Sequence, residues 1–219
     1  MFLWAWERPE NLEFLDPHST GVALLAKTLY LDGTRLSARP RMQPIWLPAG
    51  IPTIAVVRIE TQGTVAPNAD TMNEVVRQVL NAAVGPGADG VQIDYDAAAS
   101  ERAFYKDLLS ELRRQMLPRM TLSITALASW CIYDDWISDL PVDESVPMLF
   151  RLGVNGPEVL RYLGGGGEFR AAKSRFSVGI SLDELPVKAP AGRRVYVFNP
   201  RPWTRDSVNQ ALRYVREWR

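Results

Sequence analysis

Asp89-Gly90-Val91-Gln92-Ile93-Asp94-Tyr95-Asp96 is a β-type run in which apolar and polar residues alternate and which ends in two carboxylates. Side chains two apart share one face of a strand, so Gln92, Asp94 and Asp96 point one way while Val91, Ile93 and Tyr95 point the other. The apolar row suits packing under helices. A polar row on a buried strand is costly unless it faces a wet or functional cavity, because an unpaired buried carboxylate loses its hydration. The alternation therefore predicts a strand with helices on one side and a pocket on the other.

Similar strand-like runs recur outward from this one, at 2–7, 21–31, 54–61, 121–129, 146–152, 176–183 and 195–199, making eight in all. Between several of them apolar residues recur three and four apart, most clearly over 71–84 and 100–116, and again over 204–219. Thr71 and Glu74 have capping-box spacing, and Ser100 reads as an N-cap. Shorter helices are expected at 11–15, 134–140 and 157–163. Alternating strand and helix implies a parallel sheet, and eight strands ending in a helix is the count of a closed (β/α)8 TIM barrel. Such barrels typically need about 250 residues, so a chain of 219 predicts an economical version. The economy falls after the second strand, where Pro40, Pro44 and Pro48 exclude a regular helix and an extended or hairpin-like segment is expected. The four glycines Gly164 to Gly167 follow a helical segment and precede a strand, the reverse of a phosphate cradle, and read as a connection on the far face. With no repeat and no dividing linker, the expectation is a single α/β barrel domain over residues 1–219.

Composition narrows the function classes. Lys plus Arg and Asp plus Glu both number 25, so the formal net charge is zero, and the scattered cations offer no field for a nucleic-acid backbone. No apolar run approaches the roughly 18 residues of a membrane span, and the chain opens on Phe2-Leu3-Trp4-Ala5-Trp6 without a signal-peptide pattern. A cytoplasmic protein is expected from the chain as it stands, or an exported one if a leader was trimmed. Cys131 is the only cysteine and His18 the only histidine, far apart in sequence, which argues against a Cys–His nucleophile. Cys131 reads as a packed small residue and His18 as a loop histidine.

If the barrel is correct, other strands should carry polar residues on one parity near their C-terminal ends, where barrel active sites form. The candidates are Arg58 and Glu60 on the third strand, Gln92, Asp94 and Asp96 on the fourth, and Ser123 and Thr125 on the fifth. Arg151 follows on the sixth, Ser181 and Asp183 on the seventh, and Asn199 on the eighth. Arg58, Glu60, Asp94, Asp96, Arg151, Asp183 and Asn199 are expected to open into one cavity. The structural alternative is a buried ion-pair network in which Arg58 and Arg151 neutralise the acids without chemistry. Trp6 in the first strand, Trp130 after the fifth and Trp203 after the eighth add aromatic faces that suit the C–H faces of sugars, as the carboxylates suit glycosidic oxygens. The expected partner is a carbohydrate.

Asp89-Gly90-x-x-x-Asp94-x-Asp96 resembles the fourth-strand signature of the chitinase-type glycoside hydrolases, Asp-Gly-x-Asp-x-Asp-x-Glu, with Gln92 in place of the middle Asp and Asp96 in place of the terminal Glu. The segments 2–7, 57–61, 122–131 and 140–148 resemble a bacterial family known as a domain of unknown function with a glycoside-hydrolase-like barrel. The chitinase-type resemblance implies Asp96 as general acid, Asp94 as the neighbour that tunes it, and Trp203 as an aromatic floor. Asp is one methylene shorter than Glu, which questions a mechanism that uses the substrate's own acetamido group. Glu60 or Asp183 would then be the second carboxylate of a conventional pair, about 5 to 5.5 Å away for retention or about 6.5 to 9.5 Å for inversion. The expectation is a glycoside hydrolase without cofactor or metal. A noncatalytic carbohydrate-binding barrel is the alternative, favoured by the changes at Gln92 and Asp96. A metal-dependent hydrolase is disfavoured by the lack of histidine near the acidic strand, although oxygen ligands alone can hold Mg²⁺ or Ca²⁺.

Overall fold

The computed structural model describes residues 1–63, 67–185 and 192–217. In chain order its strands and helices are β1 (Phe2–Ala5), β2 (Glu10–Asn11), β3 (Gly21–Asp32), β4 (Arg35–Pro40), β5 (Ile45–Trp46), β6 (Thr53–Gln62), α1 (Ala69–Val84) and β7 (Gly90–Asp94). The second half adds α2 (Arg102–Gln115), β8 (Thr121–Leu127), α3 (Ala128–Tyr133), β9 (Glu144–Met148), α4 (Gly156–Gly164), β10 (Ser177–Ser181), β11 (Arg194–Phe198) and α5 (Arg205–Arg216).

Among the described residues, β1, β3, β6, β7, β8, β9, β10 and β11 pair side by side in parallel. β1 closes the ring by pairing with β11 (Phe2 opposite Tyr196) and with β3 (Phe2 opposite Gly21). The chain thus folds as the compact eight-stranded barrel that the spacing predicts. The proline-rich stretch after the second barrel strand forms no helix: β4 turns back antiparallel on β3 through Gly33-Thr34, and β5 pairs with β2 outside the barrel. Gly33 takes φ 60°, which a tight two-residue hairpin loop requires of its first residue.

Alternation sorts the side chains. Val91, Ile93 and Tyr95 face outward into the main core, where Tyr95 meets Phe104 and Tyr105 of α2 with ring centroids 6.2 and 5.1 Å apart. The even-numbered positions Trp4, Ile54, Val56, Val146 and Tyr196 fill a second, smaller cluster inside the barrel. α1 lays Val75, Val76, Val79, Ala82 and Ala83 on the outer layer.

Several local expectations are corrected. α1 starts earlier than the Thr71–Glu74 spacing suggests: Asn68 is its N-cap, accepting from the Thr71 amide at 2.8 Å. Ser100 lies within a short 3-10 turn that leads into α2. No helix forms at 11–15, where Asn11 ends β2 and a turn follows, or at 134–140, and the helix between β8 and β9 is α3, immediately after the strand. The expected helix at 157–163 is present as α4.

Candidate active site at the barrel mouth

A cavity of about 200 Å³ opens at the C-terminal ends of the barrel strands. Its acidic wall comes from Asp94 at the end of β7 and Asp96 just beyond, with Arg58 of β6 and Thr125 of β8 beside them. Its aromatic wall comes from Trp4 and Trp6 at β1, Phe150 after β9 and Phe198 of β11. Phe150 and Phe198 stack nearly parallel at 5.9 Å, and Trp6 meets Phe198 edge-on at 6.1 Å.

The two aspartates share a polar row because residues two apart share a strand face, and their environments raise both pKa values. Burial is the main cause at Asp94, helped by the neighbouring charges of Asp96 and Glu60 and opposed by the hydrogen bond from Thr125 Oγ1 (2.7 Å) and by Arg58. Asp96 reaches solvent at the rim, yet the protein around it still pushes its pKa up, against the pull of Arg58. A raised pKa favours the protonated form of a carboxyl, the form that can donate a proton.

Beneath the cavity the barrel is closed by a chain of buried polar groups. Trp4 Nε1 donates to Gln92 Oε1 at 2.8 Å, Gln92 Nε2 to Ser123 Oγ at 3.0 Å, and Tyr196 Oη to Glu144 Oε2 at 2.7 Å. Ser123 Oγ reaches the same Glu144 oxygen at 3.4 Å, while Arg194 pairs with Oε1 at 3.2 Å. Gln92 is fully buried, with both ends of its amide satisfied, and belongs to the floor of the site. Glu144 escapes the sequence reading because that reading starts the strand at Val146, whereas β9 begins at Glu144. A polar residue opening a strand looks like loop until its inward direction is known.

The expected site residues are only partly brought together. Arg58, Asp94, Asp96, Arg151 and Trp6 line the cavity. Glu60 pairs with Arg58 at 3.1 Å and acts on Asp94 electrostatically, but lies outside the lining. Asp183 sits in the turn after β10 and accepts from the Ser181 hydroxyl. Asn199 is buried and shapes the turn after β11, accepting from the Arg201 amide at 3.1 Å and donating to the Pro202 carbonyl.

The two later tryptophans are placed elsewhere. Trp203 is 4% exposed, with Nε1 donating to the Trp4 carbonyl and its amide to Glu10 Oε2, both at 2.9 Å. Trp130, on α3, packs in the outer core against Trp136, ring centroids 5.0 Å apart. Cys131, next to it, is buried, and burial pushes its thiol up to about 12. Among the described residues, no three His, Cys, Asp or Glu side chains gather as metal ligands, and no helix is long and apolar enough to cross a membrane.

Arg151 has a feature of its own. It is the only described non-glycine residue with φ in the left-handed region, at 51°, a conformation that costs a non-glycine residue of order 1–3 kcal/mol. Glu184 holds it there by accepting from the Arg151 amide at 2.7 Å. The guanidinium lies over Phe198, 5.4 Å from the ring centroid.

Residues 49–157, from the approach to β6 through the first residues of α4, match a described protein family. That family is the domain of unknown function DUF3142. The matched stretch contains Arg58, Asp94, Asp96, Thr125 and Arg151, but neither the tryptophans of β1 nor Phe198. No curated protein matches the chain. Among solved structures it is similar to the Bacillus cereus spore cortex-lytic enzyme SleL, with 18% identity and a TM-score of 0.54. The similarity covers 82% of this chain and 50% of the other, so the chain spans about half the length of that enzyme. The likeness is one of fold.

Proposed function

We propose that this barrel, acting as one domain over residues 1–219, is a glycoside hydrolase that cleaves an oligo- or polysaccharide at its C-terminal mouth. The observation that carries the reading is the pairing of two carboxyls, Asp94 and Asp96, whose pKa values are raised mainly by burial, with an aromatic wall in one cavity. Asp96, at the rim, protonates the leaving oxygen. Asp94 sits deeper and tunes it, since ionisation of either carboxyl raises the cost of ionising the other. Trp6 and the Phe150–Phe198 stack offer apolar faces to the C–H side of a sugar ring. Glu60 and Asp183 are the candidates for the second group that acts on the anomeric carbon, and Glu60 is favoured by its influence on Asp94. A barrel of similar fold serves a spore cortex-lytic enzyme, which supports a lytic role.

The second reading is a barrel that binds carbohydrate without cleaving it. It is favoured by Gln92, which stands where the resembled signature has Asp and whose amide is wholly engaged in the floor. Hydrolysis and binding measured on one glycan panel, with wild type and Asp96→Asn, separate the two. Loss of general acid catalysis removes about 10²- to 10⁴-fold of rate, with binding retained. Equal rates remove Asp96 from the acid role, and binding without cleavage by wild type favours the second reading.

A further inference from the structure

The cavity has two arginines with different occupations. Arg58 is ion-paired with Glu60 and lies among the acids, lowering the pKa of both Asp94 and Asp96. Arg151, an exposed residue, follows β9, two strands round the barrel from β7, and its guanidinium meets no carboxylate among the described residues. The nearby acid, Glu184, is spent on the Arg151 backbone amide. A left-handed residue is ordinarily glycine, and here a long cationic side chain occupies that position against the backbone preference. Its guanidinium rests on Phe198, part of the aromatic wall, and Arg151 lines the cavity beside it.

We propose that Arg151 recognises a carboxylate on the glycan, so that the substrate is an acidic carbohydrate. A planar guanidinium matches a carboxylate with two parallel hydrogen bonds, which an ammonium or a hydroxyl cannot reproduce. The sugar ring lies on the aromatic wall with its carboxylate at Arg151 and its glycosidic oxygen toward Asp96 across the cavity. The negative charge is thereby kept away from Asp94 and Asp96. This inference rests on the glycan-cleaving reading.

The test compares binding of the full chain to uronate oligosaccharides, to amino-sugar oligosaccharides with an ether-linked carboxylate, and to the carboxyl-reduced counterpart of each. Arg151→Gly removes the guanidinium while relieving the left-handed strain, so the variant folds at least as well as wild type; Arg151→Lys keeps the charge without the fork. One carboxylate series is expected to bind about tenfold or more tighter than its reduced form, the scale of one or two charge-assisted hydrogen bonds. Arg151→Gly erases that difference while leaving the weaker neutral binding, Arg151→Lys restores part of it, and the preferred series identifies the source of the carboxylate. Equal binding of acidic and reduced glycans, or a preference that survives Arg151→Gly, overturns the inference and leaves the glycan reading standing. Absence of all glycan binding overturns both.

Discussion

Thr125 Oγ1 donates to Asp94 Oδ1 at 2.7 Å, and this bond is opposed by most of what surrounds the carboxyl. Only Thr125 and Arg58 favour the ionised form, whereas burial and the charges of Asp96 and Glu60 favour the neutral one. The folded-state pKa therefore lies above the unfolded value. Between the two values the folded chain keeps a proton that the unfolded chain releases, so this group's contribution to stability is full at low pH and is lost as pH rises through the folded value. Asp94→Asn removes the loss while its amide oxygen still accepts from Thr125. The variant is expected to melt above wild type at pH 8, with the gap closing at about pH 3, below the unperturbed aspartate value near 3.9. Thermal melts at the two pH values check this; an unchanged gap contradicts it.

Trp203 is buried and hydrogen-bonded, and its truncation is expected to register in stability. Trp203→Ala deletes a buried indole together with its bond to the Trp4 carbonyl, and large aromatic-to-Ala changes in cores cost about 3–5 kcal/mol. Urea unfolding measures the loss. A variant of wild-type stability with weakened glycan binding would return Trp203 to the role of a sugar platform.

The Tyr105 hydroxyl is fully buried without a hydrogen-bond partner among the described residues, and the charges of Asp94 and Asp96 are felt there. An unsatisfied buried polar group carries a desolvation penalty of about 1–3 kcal/mol. Tyr105→Phe keeps the ring contacts with Tyr95 and Trp136 and removes the hydroxyl. It is expected to be neutral or stabilising in chemical denaturation, and a loss above about 1 kcal/mol, the net worth of one ordinary hydrogen bond, would reveal an essential partner for the hydroxyl.

Gly179 is the seat of Trp4. A Cβ at position 179 would lie 2.7 Å from Trp4 Cη2, so Gly179→Ala must push the indole off its seat. Overpacking of this kind costs about 1–3 kcal/mol. The displaced indole also strains its bond to Gln92, so near-UV circular dichroism and tryptophan fluorescence should change along with the melting temperature. A variant with wild-type spectra would mean that the floor of the cavity is looser than its packing indicates.

The barrel was legible because the period of a strand is two: Gln92, Asp94 and Asp96 were bound to share a face, and Val91, Ile93 and Tyr95 to lie under helices. The acidic wall followed from the same rule. Trp130 and Trp203 were not legible, because a side chain just past a strand end has left the strand's alternation, and its direction depends on the connection that follows. For Trp130 that connection is a helix starting at once, which turns the ring outward; for Trp203 it is a turn tied to Glu10. Phe150, Phe198 and Met148 carry no such signal, because an apolar residue in a strand-like run suits core and cavity wall alike, and only the folded barrel places them in the wall. The strained backbone at Arg151 has no sequence signature at all.

Closure of the ring through Phe2 and Tyr196 also fixes the order in which the site can come into being. The aromatic wall joins Trp4 and Trp6 to Phe198, which follows them far along the sequence. As the chain leaves the ribosome, β1 can pair with β3 early, but its other edge stays open until β11 has emerged. Contacts so distant in sequence are made late and slowly. A nascent chain halted before Arg194 would hold both aspartates and no enclosed cavity, so any sugar recognition belongs to the finished barrel and to no fragment that precedes it.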